Sequence, residues 1–130
     1  MNGPIQPAGW ARPRGYSNGI VAQGRYLAVA GQIGWNERCE WQSDDFLEQA
    51  TQALRNVLAV VEAAGGSPQC IVRLTWYVIN KHQYLAASRA LGAVYTELFA
   101  GHYPAMTLVE VKGLLEDRAL VEVEATGILP

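Results

Sequence analysis

Ala119-Leu120-Val121-Glu122-Val123-Glu124-Ala125-Thr126 alternates apolar and polar side chains from Val121 onward. Successive side chains of a strand point to opposite faces. Val121, Val123 and Ala125 therefore share one face, and Glu122 and Glu124 share the other with Leu120 and Thr126. Such a strand belongs in a sheet with one face buried and one free. The free face has two readings. It is a solvated surface, or a face where one carboxylate, partly buried against another subunit, orients a water and takes its proton as a general base. Spacing does not choose between them.

Working back from this strand, Met106 to Lys112 alternates in the same way, with the polar Glu116-Asp117-Arg118 in between. Cys70 to Ile79 is nearly all strand formers, with Arg73 and Thr75 on one face and Val72, Leu74 and Trp76 on the other. The spacing of Tyr84, Ser88, Leu91, Tyr95 and Leu98 predicts a helix from about His82 to Phe99, with Gly101 just past its end. Phe46, Ala50, Ala53, Leu54, Val57, Leu58 and Val61 predict a longer apolar stripe, with Ser43, Asp44 and Asp45 as candidate caps, Asp45 and Glu48 at capping-box spacing, and Gly65-Gly66 then Pro68 as the stop. Strands are expected near 18–23 and 26–32, joined as a hairpin at Gln23-Gly24-Arg25. Residues 34–43 form a polar loop containing Trp35 and Trp41, and residues 1–15, with Pro4, Pro7 and Pro13, an extended arm with a mobile tip.

The order ββαβαββ is that of an α+β fold in one domain over residues 1–130. Two helices of this length cover one sheet face and leave the other for a ligand or another subunit. Half the residues (50%) are apolar and 17% are charged, the composition of a chain that folds. A domain this small keeps apolar surface after folding, which favours association with other copies. The net charge of −2 and ten scattered Lys and Arg provide no footprint for a phosphate backbone, so nucleic acid is not an expected partner. Cys39 and Cys70 lack metal-ligand spacing with His82 and His102, which implies no metal and free thiols in a reducing compartment. No run approaches the ~18 apolar residues of a membrane span and no signal peptide is visible, so the expected location is the cytoplasm.

Several other residues are candidates for a site. Tyr16 donates its hydroxyl to a ligand or plugs the sheet end. Gly31-Gln32 is a small polar site or a strand-ending turn. Arg14, Arg73 and His102 are cations near a pocket or solvated surface charges. Trp35, Trp41, Tyr103 and Tyr16 suggest flat apolar pocket walls, or core packing. No Ser/His/Asp, phosphate-loop or zinc pattern is present.

Taken together, Gly15-Tyr16-Ser17, Ala30-Gly31-Gln32-Ile33, Gln49 to Asn56, Val72-Arg73-Leu74-Thr75, Tyr103-Pro104-Ala105, Val109-Glu110-Val111 and Val121-Glu122-Val123-Glu124-Ala125 resemble, in order, the RidA/YjgF reactive-intermediate deaminases. The resemblance implies a chorismate-mutase-like fold and a homotrimer with pockets at its interfaces. It also implies hydrolysis of small-molecule enamines or imines to carbonyl compounds and ammonia, without metal or organic cofactor. Glu124 is then the water-positioning group and Tyr16 lines the substrate, beside Gly31, Gln32, Arg73, Tyr103 and Arg14. Where deaminase members carry a carboxylate-clamping arginine after Pro-Ala, this chain has Met106. Losing such a charged fork costs binding ~2–5 kcal/mol. Arg14, Arg73 or His102 then supplies the cation, or the substrate lacks a carboxylate there and Met106 is a wall. Alternatives are a binding or regulatory trimer without catalysis, and the RNA cleavage ascribed to some members, which the acidic balance disfavours.

Overall fold

In the computed structural model, which describes residues 3–130, the alternating strand near the chain's end is the axis of the sheet. This strand, β6 (Val121–Leu129), pairs antiparallel with β3 (Arg25–Ile33) on one side and with β4 (Ile71–Val78) on the other. β4 in turn pairs in parallel with β5 (Ala105–Glu110), giving a mixed sheet of order β3-β6-β4-β5. Two further strands, β1 (Gly3–Ile5) and β2 (Gly19–Val21), form a separate ribbon.

The parallel pair needs a crossover, which α2 (Lys81–Phe99) supplies. α1 (Phe46–Ala63) joins β3 to β4, through a turn of 3-10 helix at Pro68–Cys70. Each helix begins on a side-chain cap: Asp45 accepts from the Glu48 amide at 3.1 Å and Asn80 from that of His82 at 2.9 Å. Their ends are equally defined, by Gly65 at φ 87° and by Ala100 at φ 50° followed by Gly101.

Both helices cover the same sheet face. Val29, Leu74, Trp76, Val78, Val121 and Val123 meet Phe46, Leu54, Val57 and Val61 of α1 and Leu91, Tyr95 and Phe99 of α2 in one core. A β-bulge between Ile71 and Arg73 shifts the register of β4, so Ile71 is fully buried along with Leu74 and Trp76. Ser88, placed by its spacing on the inner face of α2, is exposed; Ala87 packs there instead.

The expected hairpin at Gln23-Gly24-Arg25 does not form. Gly24, at φ 152°, lies against the Leu129 carbonyl, where a Cβ would collide, and this close approach starts β3 along β6 at Arg25↔Leu129. β2 is left off the main sheet and pairs with the arm, adding one strand to the expected order. The expected mobile tip falls on residues 1–2, outside the described residues.

Gln49 is the one polar side chain buried in this core among the described residues, at 1% exposure. Its amide nitrogen donates to the carbonyls of Ser43 and Arg118, at 3.1 and 3.0 Å, and its oxygen accepts from the Leu120 amide at 2.9 Å. Three chain segments are thereby tied together at the entrance to β6. Gln49→Leu leaves those buried backbone groups unpaired and should lower stability by about 2–3 kcal/mol in urea denaturation; a loss of under about 1 kcal/mol contradicts this role.

Candidate active site

Because α1 and α2 occupy one face, the even-numbered residues of β6 emerge on the other. Glu122 and Glu124 are half-buried there, opposite Tyr77 and Thr75 of β4. Tyr77 reaches diagonally along the pair and donates its hydroxyl to Oε1 of Glu124 at 2.8 Å. That hydrogen bond, with desolvation and the negative charges of Glu124 and Glu122, holds the Tyr77 phenol above its ordinary pKa. The phenol therefore stays a donor at neutral pH and occupies one carboxylate oxygen. Beside it lies a hollow of about 260 Å³ lined by Glu124, Arg73, Thr75, Thr126 and Tyr26. Gly31 lies at the bulge of β3, so close to the Glu122 carboxylate that a Cβ would overlap it. The Gln32 amide is spent on the Ala30 carbonyl at 3.1 Å.

Tyr16 sits elsewhere. Ser17 hooks the segment before β2 to the start of β5, its amide donating to Pro104 O at 3.1 Å and its hydroxyl to Tyr103 O at 2.6 Å. Tyr16, Tyr103 and Arg14 consequently share a groove of about 860 Å³. From Ser17 the ladder runs through Ala105 and Arg73 to Thr126, three strand spacings, so the backbones at Ser17 and Thr126 lie roughly 14 Å apart. Tyr16 and Glu124 line different hollows in one chain.

Met106 turns to the helix side with Leu74, its strand partner. There its sulfur accepts from the hydroxyl of Tyr95 at 3.6 Å, a phenol whose burial raises its pKa. His102 binds Ile71 O through Nε2 at 2.6 Å and borders a third cavity, behind Cys70. Trp35 and Trp41 pack on each other at 5.7 Å, with Arg118 over Trp41, apart from the tyrosines expected to share a pocket with them. Tyr77 was legible only as the next residue in the Arg73, Thr75 alternation; its tie to Glu124 depends on register. Among the described residues, no group of His, Cys, Asp and Glu is placed to hold a metal ion.

A mixed sheet backed by two helices, with Glu122 and Glu124 on the uncovered face, defines an α+β chain. The family model described as Endoribonuclease L-PSP matches residues 10–129, and the chain belongs to this family, the RidA/YjgF proteins. The 2-iminobutanoate/2-iminopropanoate deaminase of Escherichia coli is 34% identical over 108 residues, 83% of this chain and 83% of the relative. A RutC family protein of Pyrococcus horikoshii is 35% identical over 111 residues, 85% of this chain and 83% of that protein. The crystal structure of YyfB from Yersinia pestis, a Rid family protein of unknown function, superposes with a TM-score of 0.87 at 33% identity, covering 98% of each chain.

The Tyr77–Glu124 bond has a spectroscopic consequence. Ultraviolet difference titration, with Tyr77→Phe to assign the signal, should find Tyr77 ionising above the ordinary phenol range in wild type and at lower pH in Glu124→Gln, where the facing charge is gone. An unchanged Tyr77 titration in Glu124→Gln contradicts the contact.

Proposed function

We propose that this chain hydrolyses the C=N bond of reactive imines, or of enamines after tautomerisation, at sites formed where three copies meet in the cytoplasm. The observation that carries this reading is the Glu124 carboxylate, fixed at one oxygen by Tyr77 with a hollow beside it on a sheet face that no helix covers. Family membership and the deaminase name of the Escherichia coli relative support the reaction class.

In this reading the free oxygen of Glu124 orients a water and takes its proton as the oxygen adds to the imine carbon. Glu124 passes that proton to the nitrogen, giving a carbinolamine. On collapse Glu124 takes the hydroxyl proton as the carbonyl forms and delivers it to the leaving nitrogen, so that the C–N bond breaks and ammonia departs. Water and imine balance carbonyl and ammonia, and no electrons are exchanged. Tyr77 is a positioning residue, since it acts through Glu124. Tyr16 and Tyr103 line the substrate from a second copy, a reading supported by their placement in a different hollow from Glu124 within one chain. Gly31 and Gln32 shape the sheet side of the pocket, and Arg73 is the cation nearest the developing charge.

Met106 is uncharged and packs on the helix side of the sheet, where its thioether accepts from Tyr95, so it offers no anchor for a carboxylate on the open face. Turnover of small 2-imino acids held through that position is accordingly weak, and the preferred substrate is different.

Ammonia release from a panel of freshly generated imines, carboxylated and neutral, tests the reading. Wild type should accelerate at least one, Glu124→Gln should lose about 10²–10⁴-fold in rate, and Tyr77→Phe should lower kcat with little change in KM. No acceleration by wild type across the panel contradicts hydrolysis and favours a trimer that only binds its ligand.

A further inference from the structure

The arm before β2 is a closed loop. β1 and β2 pair from Gly3↔Val21 to Ile5↔Gly19, so residues 6–18 leave and return at neighbouring points. Gln6 stitches the interior: its amide nitrogen donates to the carbonyls of Trp10 and Ala11, at 3.3 and 3.1 Å, and its oxygen accepts from Asn18 at 2.7 Å. Ser17 anchors the far end to Tyr103 and Pro104. The segment carrying Arg12, Arg14 and Tyr16 is thus tied down on both sides.

Arg12 and Arg14 both line the groove of about 860 Å³ together with Tyr16 and Tyr103, and no acidic side chain lines it. Among the described residues, the ion pairs are Arg38–Glu40 and Arg118–Asp44, so neither groove arginine has a carboxylate partner. Two exposed guanidiniums lining one groove without a counter-charge attract an anion, and the planar donor fork of each matches a carboxylate. Pro4, Ile5 and the two tyrosines add apolar wall, in a volume within the ~300–1,000 Å³ usual for sites of larger organic ligands.

We propose that this loop is an organic-acid site: Arg12 and Arg14 hold the carboxylate of a ligand whose flat apolar body lies against Tyr16 and Tyr103. It rests on the imine-hydrolase reading only for the identity of the reacting group, and it names the substrate class as 2-imino acids with an aromatic or similarly broad side chain. The carboxylate is then taken by the loop instead of by position 106.

Isothermal titration calorimetry with phenylpyruvate, and with phenylacetone as its uncharged counterpart, tests this on the full chain. Wild type should bind phenylpyruvate more tightly, with affinity falling as salt rises. Arg12→Gln and Arg14→Gln should each lose roughly tenfold for phenylpyruvate and little for phenylacetone, and the double Lys variant should keep part of the affinity. Arg89→Gln, on the exposed side of α2, serves as the charge control and should bind as wild type does. Equal binding of the two ligands by wild type, no binding of phenylpyruvate, or an unaffected double Gln variant overturns the proposal. Arginine-dependent binding without turnover of any imine leaves the loop site standing and removes the hydrolase reading. Glu124-dependent turnover indifferent to both arginines does the reverse.

Discussion

Everything in this molecule is arranged around the pairing of β6 on both of its edges. A strand held between two neighbours cannot slip by one residue without moving Val121, Val123 and Ala125 out of the core and two carboxylates into it. Desolvating unpaired carboxylates is far costlier than exposing valines, so the alternation fixes the register. Gln49 reinforces it by holding the Leu120 amide just ahead of the strand. The placement of Glu122 and Glu124 on the open face is therefore a consequence of core packing on the opposite face.

Chemistry follows from that placement. A carboxylate on a fully solvated face has no fixed orientation, whereas Glu124 has one oxygen occupied by a phenol kept protonated by the same charge it faces. This leaves one oxygen with a defined direction. On the other edge of the sheet, Ser17 fastens a folded loop to β5 and sets Tyr16 beside Tyr103 and two arginines. The two groups of residues line different hollows of one chain, and the proposed association of copies would join them.

The elements with strong periodicity were legible. Residues 46–61 have the stripe of a helix buried along one side, residues 121–126 the alternation of a half-covered strand, and of the candidate caps Ser43, Asp44 and Asp45 it is Asp45, at capping-box spacing from Glu48, that starts α1. What was hidden depends on non-local contacts. The run at 18–23 has strand composition but carries no information about its partner, and it pairs with Gly3–Ile5 because Gly24 meets Leu129. Bulges in β3 and β4 change which side chains face the core, and a bulge leaves no mark in hydrophobic pattern. Tyr16, Tyr103 and Arg14 do come together in the arm groove, where Arg12 joins them only through the folded arm, while Tyr77 meets Glu124 on the open sheet face only through the cross-strand diagonal.

The central claim is that Glu124 of one copy works with Tyr16 of another, and mixing inactive variants tests it most directly. Glu124→Gln and Tyr16→Phe chains, each with most activity lost, should recover about a quarter of wild-type ammonia release when refolded together at equal amounts, because random trimers then contain intact mixed sites. Activity no greater than the average of the two separate variants, in a sample shown to contain mixed trimers, contradicts it.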